Sequence, residues 1–364
     1  MPEIIRTRDS FPIGYRATTQ VSQIRAPVNR LTFGFLYDFR NPQLWQRPWP
    51  ELYADILDFV EWSESVGFEG AWVPEHHAAE DGYQPSPLVL LAAIAARTKR
   101  LKLGPGVALA PLYHPVRFAE DCAVLDILSD GRLEVSVAVG YRRREAEGFG
   151  VDFSKRGSRT DEFVEIVQRL WAGETFNFQG KHFQFKNTSI KPTPSRGRVP
   201  LFFGGSTEKA IERTARFGDG YFGNMDVVDL YREKLRDHGK DPTSARIRIQ
   251  GLFYVVAHDR DKALDELAPY FLHVNNSYGQ WLTEDRASIG MGDSTLLKPM
   301  TLEKFKKSGI LQVLTPAEAV EFFNGMRAKA PVEHFTMMLP PGLPPSQFKP
   351  YAEVFAREVI PAFR

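Results

Sequence analysis

Glu75, His76 and His77 are the residues whose types and spacing are best suited to chemistry. They follow a short apolar run, residues 71–73, that ends at Pro74. An imidazole titrates near neutral pH and can move protons, and a neighbouring carboxylate can orient its ring. Parallel α/β enzymes present such groups at the carboxyl ends of their strands. The pattern favours an acid–base site, although two adjacent histidines are also compatible with an ordinary loop.

A second candidate site is the segment Gly204, Gly205 and Ser206, between an apolar run and a helical pattern. Free backbone N–H groups and a hydroxyl at a helix start favour a phosphate. Arg156 and Arg159, earlier in the chain, can close on the same anion. A flat apolar ligand with one phosphate, such as a flavin mononucleotide, suits this surface. A simple helix cap is the alternative interpretation.

Eight short, mostly apolar segments can supply the strands that position these groups. They are residues 31–37, 71–73, 101–109, 133–139, 199–203, 220–222, 247–257 and 334–339. Most are followed by a helical pattern, an alternation that predicts a parallel sheet buried on both faces. Eight units favour a closed (β/α)8 TIM barrel of the α/β class over a doubly wound sheet. No Gly-x-Gly-x-x-Gly opens the first helix, which also disfavours the open sheet.

The chain is predicted to form one domain with additions. Residues 1–29 show no periodicity and are expected to form an N-terminal arm, with residues 30–364 forming the barrel. Alternating residues around Gln179 and Gly180 predict a hairpin insertion at about 174–190. Residues 275–300 are rich in Gly and polar side chains and are expected to be irregular, forming a mobile lid.

Composition excludes several classes of protein. The 46 basic and 45 acidic residues give a net charge of +1, which argues against a nucleic-acid partner. No apolar run is long enough to span a membrane, and no secretory signal is evident, so a cytoplasmic protein is expected. The single cysteine, Cys122, excludes an internal disulfide and a cysteine-rich zinc site. Its helical spacing from Phe118 and Leu125 predicts core packing.

Five motifs, taken together in order and spacing, resemble the bacterial luciferase-like family of flavin-dependent monooxygenases. They are residues 67–77, residues 111–117 with Glu120 and Asp121, residues 129–132, residues 148–150 and residues 204–206. The resemblance extends from about Leu31 to Tyr221. It is closer to the branch that uses reduced FMN than to the branch that uses the deazaflavin F420.

The resemblance implies a two-component monooxygenase on a (β/α)8 barrel. Reduced FMN would come from a separate NAD(P)H:flavin reductase and react with O2. The resulting flavin C4a-hydroperoxide would oxygenate a small, apolar organic substrate. Barrel relatives of this kind pair through helices of their N-terminal half, so a homodimer is expected.

The resemblance also assigns roles to individual residues. His76 matches the active-site histidine, and Glu145 matches an acid that lies close to that imidazole. Gly106 and Val107 match a non-proline cis peptide beneath the flavin ring. The phosphate loop corresponds to Gly205 and Ser206, and Arg159, less closely Arg156, matches a phosphate arginine. The remaining residues predicted to bind the cofactor lie at the ends of strands one and four: Tyr37, Val139, Gly140 and Tyr141.

One departure from the luciferases concerns the end of strand four. Ala138 and Val139 stand where luciferases carry a Cys-Arg pair. A reactive thiol and one phosphate arginine are therefore missing, and light emission is not expected.

Three other functions remain open from the sequence. An F420-dependent oxidoreductase would use the same barrel to transfer a hydride without oxygen, and a non-catalytic flavin-binding protein would keep the fold alone. A metal hydrolase is suggested by His76, His77 and His114. The sequence lacks the His-Glu-x-x-His spacing of a helical zinc site, so no metal is predicted.

Overall fold

The computed structural model describes residues 30–285 and 297–364. The predicted N-terminal arm lies outside this part of the chain. The strands are β1 (Thr32–Tyr37), β2 (Gly70–Val73), β3 (Lys102–Pro105), β4 (Ala108–Leu109), β5 (Val135–Ala138), β6 (Phe176–Gln179), β7 (Gln184–Thr188), β8 (Leu201–Phe203), β9 (Gly220–Gly223), β10 (Ile247–Gln250), β11 (Tyr254–Val256), β12 (Gln312–Leu314) and β13 (Val332–Leu339).

Nine of these strands form one parallel sheet that curls into a barrel. Its order is β3-β2-β1-β13-β10-β9-β8-β5-β4. The two outer members, β3 and β4, are halves of a single strand interrupted at Gly106 and Val107. A parallel bridge between Leu103 and Leu133 joins β3 to the segment before β5 and closes the ring. The barrel therefore has eight strand positions, and the predicted (β/α)8 fold is confirmed.

Helices cover the outside of the sheet. They are α1 (Trp49–Val66), α2 (Pro87–Arg97), α3 (Pro115–Leu128), α4 (Arg143–Gly148), α5 (Arg156–Trp171), α6 (Glu208–Phe217), α7 (Val228–Asp237), α8 (Arg260–Glu284), α9 (Leu302–Ser308), α10 (Pro316–Lys329) and α11 (Pro345–Glu358). Helix α1 shows why they form: Leu52, Ile56, Phe59 and Val60 recur at helical spacing and are all buried. Among the helices of the described residues, none combines the length and apolar character needed to cross a bilayer.

The main core lies between the sheet and the helices. Outward-facing side chains of β1 meet aromatic rings of the helices there; the centroid of Phe35, for example, lies 5.6 Å from that of Phe59. Cys122 is fully buried in the same layer, as its spacing predicts. Its burial raises the pKa of the thiol well above its usual value, so it packs as a neutral apolar group.

The seventh predicted strand differs from the observed one. Residues 247–257 were expected to be continuous, but β10 ends at Gln250 and β11 begins at Tyr254. Strand β11 leaves the barrel and pairs in parallel with β12 as a separate two-stranded sheet. Gly251 marks the break, because a side chain placed there would collide with the ring of Phe335.

The two expected additions to the barrel differ in outcome. Strands β6 and β7 form an antiparallel pair within residues 174–190. Residues 275–284, expected to be irregular, instead form the last turns of α8, so that part of the prediction is wrong. The side chains of Asn275 and Asn276 hydrogen-bond to Lys298 and Met300 of the returning chain, which explains these polar residues within a helix. Residues 286–296 lie outside the described part.

Candidate active site

A cavity of about 320 Å³ opens at the carboxyl ends of the barrel strands. Parallel barrels place their active sites at this end. Eight of the residues that the sequence predicts for the site line the cavity: His76, Gly106, Val107, Val139, Gly140, Tyr141, Gly205 and Ser206. Groups from four different strand ends therefore share one space.

His76 and Glu145 form a buried pair at one wall of this cavity. Nδ1 of His76 lies 2.9 Å from Oε1 of Glu145, which comes from α4. When Glu145 accepts the Nδ1 proton, the neutral ring has its Nε2 as a free acceptor. Within the described part of the chain, Nε2 has no hydrogen-bond partner. A histidine in this state can take up and return a proton.

Glu145 is held as a carboxylate by its surroundings. Burial raises its pKa, but hydrogen bonds from His76 and from the backbone N–H of His77, with the charge of Arg142, outweigh burial and lower the pKa below its usual value. Nη1 of Arg142 lies 3.1 Å from the same oxygen. Because the carboxylate has several fixed partners, it holds the imidazole in one orientation.

Four aromatic side chains pack around the His76 ring. The ring centroids of Tyr83 and Trp281 lie 4.8 and 5.1 Å from it, and those of Tyr141 and Tyr278 both lie 5.8 Å away. His76 itself is only 6% exposed. This packing keeps bulk water away from the ring and strengthens its electrostatic interactions.

The interrupted third strand forms another wall of the cavity. The peptide bond between Gly106 and Val107 is cis, as the resemblance implies. Nε2 of Gln250 donates to the carbonyl oxygen of Gly106 at 3.3 Å. On the other side, Oε2 of Glu75 accepts from the backbone N–H of Leu109 at 2.8 Å. These two side chains hold the segment in place from both ends.

The end of the cavity at the start of α6 is suited to an anion. Gly205, Ser206 and Thr207 precede α6, and Thr207 caps the helix by accepting from the N–H of Ala210. Gly205 has φ +114°, and a side chain on Gly204 would approach Cγ1 of Val107 to 2.9 Å. Only glycine leaves this cradle open for a ligand next to the positive end of the helix dipole.

Arg156, the first residue of α5, adds positive charge to this end and lines the cavity. Its Nε donates to the carbonyl oxygen of Gly140 at 3.2 Å, which places the guanidinium beside the end of β5. Burial, followed by the neighbouring charges of Arg143 and Arg213, lowers the pKa of Arg156. A bound anion would relieve this repulsion among three cations.

Two of the residues predicted to bind the cofactor lie elsewhere. Tyr37 is fully buried between the sheet and α1, with its hydroxyl 2.7 Å from that of Ser63. Side chains alternate along a strand, and on β1 it is Leu36 that points into the barrel, so the side chain of Tyr37 does not line the cavity. Arg159 lies one turn beyond Arg156, donates to the carbonyl oxygen of Pro111 and covers the ring of Phe183. It does not line the cavity.

The lining residues that sequence reasoning missed include the polar side chains of Thr207, Asn224, Gln250 and Tyr278. Gln250 was hidden because strand seven was extended past its true end. Tyr278 was hidden because its segment was taken as irregular. The helical spacing of Tyr278, Trp281 and Leu282 was the signal that could have identified it.

The histidines named for a metal site do not converge. His77 pairs through Nε2 with Glu75 at 2.8 Å, and His114 packs against the rings of Phe183 and Phe185. Within residues 30–285 and 297–364, no group of three or more metal-ligating side chains is placed to hold an ion.

Comparison with known proteins places this geometry in context. The oxygenase component of the flavin-dependent trigonelline monooxygenase of Acinetobacter baylyi is 25% identical over 348 residues, covering 87% of this chain and 92% of the relative.

Two solved structures share the fold. Monooxygenase RslO1 from Streptomyces bottropensis superposes with a TM-score of 0.74 at 24% identity, covering 92% of this chain and all of that one. An F420-dependent secondary alcohol dehydrogenase, in complex with an F420-acetone adduct, superposes with a TM-score of 0.71 at 20% identity, covering 92% of this chain and 99% of that one. The family model for luciferase-like monooxygenases matches residues 32–302, which is most of the chain. The protein therefore belongs to the luciferase-like monooxygenase family.

Proposed function

We propose that the protein is the oxygenase of a two-component system, using reduced FMN and O2 to oxygenate a small organic substrate. The observation that carries the proposal is the arrangement of the cavity. An oriented His76 with a free Nε2 lies at one wall, and the N-terminus of α6 with Arg156 lines the same cavity. The relative named for trigonelline is itself a flavin-dependent oxygenase component.

The residues present fit a phosphorylated flavin. Ser206, the backbone N–H groups at the start of α6 and Arg156 would hold the phosphate. The apolar side chains of Val107 and Val139 would lie against the ring system. Reduced FMN, when bound, supplies the electrons that activate O2 for transfer of one oxygen atom to the substrate.

The protein's own groups handle protons and water. His76 accepts or returns a proton at Nε2, and Glu145 keeps the ring in the tautomer that leaves Nε2 free. Tyr83 and Trp281 cover the ring on the side of α8. Because a reduced flavin that meets oxygen and bulk water wastes its electrons, this enclosure is expected to favour coupled turnover.

Binding experiments test the cofactor assignment. Under anaerobic conditions, the protein is titrated with reduced FMN, reduced riboflavin and reduced F420. We expect FMN to bind more tightly than riboflavin, and Arg156→Met to reduce that preference without changing riboflavin binding. Arg159→Met is the matched control, because Arg159 lies outside the cavity and should leave the preference unchanged.

Product analysis tests the reaction. The protein is combined with an NAD(P)H:flavin reductase, FMN and candidate apolar substrates, and products are identified by mass spectrometry after incubation with ¹⁸O2. Incorporation of one labelled atom supports the proposal. Failure to bind reduced FMN, or binding without any oxygen transfer, would contradict it.

An F420-dependent oxidoreductase is the second candidate. It is favoured by the likeness to the F420-dependent secondary alcohol dehydrogenase. Hydride transfer from reduced F420 to a carbonyl compound, without oxygen uptake, would establish that function instead.

We also propose a cytoplasmic homodimer that receives reduced flavin from a separate reductase. Val124, Ile127 and Leu128 are exposed on one face of α3, and Val89 is exposed on α2, which packs against α3. An apolar face of this kind, on helices that pack side by side, suits a two-fold contact between copies. Light scattering on wild type and Ile127→Glu tests it, with a monomeric wild type as the contradicting result.

A further inference from the structure

We propose that the substrate is held through a neutral carbonyl oxygen, which accepts hydrogen bonds from the hydroxyls of Tyr141 and Tyr278. This inference rests on the proposed function and adds the class of substrate: an apolar molecule that carries a ketone, amide or ring carbonyl. It assigns a binding role to the last turns of α8, which the sequence predicted to be part of an irregular lid.

The hydroxyl of Tyr141 is the first observation. It is buried, and it has no hydrogen-bond partner among the residues that the structure describes. Tyr141 lines the cavity, and its ring stands edge-on to His76 at 5.8 Å. A buried hydroxyl without a partner is destabilising, so such a group at the wall of a cavity points to a ligand atom.

The hydroxyl pair of Tyr83 and Tyr278 is the second observation. The two oxygens lie 2.7 Å apart. Tyr83 is 1% exposed and does not line the cavity, whereas Tyr278 does. If Tyr83 donates its proton to Tyr278, Tyr278 keeps its own proton to donate into the cavity. The pair therefore presents one O–H donor, fixed by the hydrogen bond from Tyr83.

The two donors lie near each other at the wall of the cavity. The ring centroids of Tyr141 and Tyr278 each lie 5.8 Å from that of His76, with interplanar angles of 74°, and the two phenols interact electrostatically. Burial raises the pKa of both phenols, as it does for Tyr83, so all three remain protonated at neutral pH. Protonated phenols can donate, and a carbonyl oxygen has two lone pairs with which to accept from both.

The surrounding charges favour a neutral acceptor over a carboxylate. Arg40 lies 4.1 Å from the ring centroid of Tyr83, but its guanidinium is already paired with Asp38. Arg142 is likewise paired with Glu145. Beside these tyrosines a substrate carboxylate would therefore find the guanidinium groups of Arg40 and Arg142 already paired, and it would face the negative charge of Glu145.

Binding of simple probes tests this assignment. Acetophenone carries the carbonyl on an apolar body, ethylbenzene is nearly the same shape without it, and benzoate replaces it with a charge. Affinities are measured by calorimetry on the full protein, with and without saturating FMN. Infrared spectra of ¹³C=O-labelled acetophenone give an independent reading, since hydrogen bonds to the oxygen lower its stretching frequency.

We expect acetophenone to bind more tightly than ethylbenzene or benzoate. Tyr141→Phe and Tyr278→Phe should each weaken acetophenone binding about tenfold, the usual worth of one hydrogen bond, and raise the carbonyl frequency. Ethylbenzene binding should not change. Tyr254→Phe is the matched control, because it removes a phenolic hydroxyl from a residue that packs against Phe322 and Phe335 and does not line the cavity, so every reading should stay unchanged.

Three results would overturn the inference. One is equal binding of acetophenone and ethylbenzene, and another is tighter binding of benzoate. The third is that both variants weaken FMN binding and leave the ketone unaffected, which would assign the hydroxyls to the cofactor. FMN affinity is measured separately, so loss of the ketone site with normal FMN binding leaves the proposed function intact. Should Tyr278→Phe fail to fold, Tyr141→Phe alone decides the question.

Discussion

The two ends of the barrel each contain a buried histidine, and the surroundings of the two rings differ. At the amino end, His334 accepts from Nε1 of Trp72 through Nε2 at 2.9 Å, which leaves Nδ1 to donate to the hydroxyl of Thr32 at 2.8 Å. Both ring nitrogens are therefore engaged. At the carboxyl end, only Nδ1 of His76 has a partner among the described residues, and Nε2 is left at the cavity.

The charges around the rings differ in the same way. Beside His334, Arg248 bridges Glu134 and Glu333 with N–O distances of 2.5 and 2.7 Å inside a filled layer. Burial, followed by the charge of Arg248, lowers the pKa of His334 to about 3, so the ring stays neutral. His76 faces a carboxylate across one hydrogen bond and a cavity on the other side. A histidine with both nitrogens satisfied stabilises the barrel, whereas one with a free nitrogen is available for chemistry.

The largest expected effect comes from removing the free nitrogen. His76→Ala should reduce product formation by about 10²- to 10⁴-fold, the usual range for an acid–base group. FMN affinity and thermal stability should change little, because the ring lies beside the cavity and outside the core layer. Product is measured by mass spectrometry under saturating FMN. His77→Ala is the control, since His77 pairs with Glu75 and does not line the cavity. If product formation falls equally in both variants, the free Nε2 of His76 is not what matters for the reaction.

The corresponding change at the other end should affect stability alone. Arg248→Ala leaves Glu134 and Glu333 without their shared partner and should lower the free energy of unfolding by about 3–5 kcal/mol. Urea unfolding measures this change, and FMN affinity below the transition should be that of wild type. Arg357→Ala, at an exposed pair with Glu353, is the control and should cost less than about 1 kcal/mol. If Arg248→Ala lowers the free energy of unfolding no more than the control does, the ion pairs of Arg248 with Glu134 and Glu333 do not stabilise the fold.

Acid should weaken the amino end before the carboxyl end. The folded pKa of His334, about 3, lies below its usual 6.5, so the unfolded chain gains a proton first as the pH falls. The contribution of His334 to the free energy of unfolding is therefore fully present above pH 6.5 and is lost on acidification. Between pH 6.5 and 4.5 the loss is about 1.4 kcal/mol per pH unit, or about 3 kcal/mol at most.

Below pH 4.5 a second group at the same end adds to the loss. Burial opposes ionisation of Glu333, but Arg248 and Arg246 outweigh it and lower its pKa to about 2. Its contribution, present above pH 4.5, disappears as the pH falls toward 2. Unfolding free energies measured across this range should decline in both windows. In His334→Gln the decline between pH 6.5 and 4.5 should disappear, while the decline below pH 4.5 remains. If the free energy of unfolding still declines between pH 6.5 and 4.5 as in wild type, His334 is not the cause of that decline.

The smallest effect is expected for the group behind His76. Glu145→Gln keeps an acceptor for Nδ1 but removes the charge, and should reduce product formation about tenfold. Because the pKa of Glu145 is lowered below 4.5, wild type should lose no activity through this group until the pH falls below that value. A pH–rate profile of both forms checks this. Wild-type rates in Glu145→Gln would remove the carboxylate from the mechanism.

Much of the fold could be predicted from the sequence, because buried parallel strands consist of short apolar runs that can be recognised in it. All eight barrel positions were found this way, and Gly106 marked the break in the third. Strand ends were harder to place. Gln250 was missed since the apolar run continues to Ala257, and only the pairing of β11 with β12 shows that the barrel strand has already ended.

The errors at the site have a common physical cause. Tyr37 was predicted because it ends a strand. Successive side chains on a strand point to opposite faces, and Tyr37 lies on the face that points toward α1. Arg156 and Arg159 are three residues apart on one helix face, so the sequence favours neither. Only the position of α5 against Gly140 brings Arg156 to the cavity.

By itself, the sequence determined the alternation of strands and helices, the family resemblance, and which strand ends carry His76 and the glycine cradle. Local patterns suffice for these, because burial on a strand or helix is a property of neighbouring residues. The tertiary structure decided which groups meet: Glu145 with His76, Gln250 with Gly106, and Tyr278 of α8 with Tyr141. Such contacts join residues tens to more than a hundred positions apart, and their geometry depends on how the whole ring of strands closes.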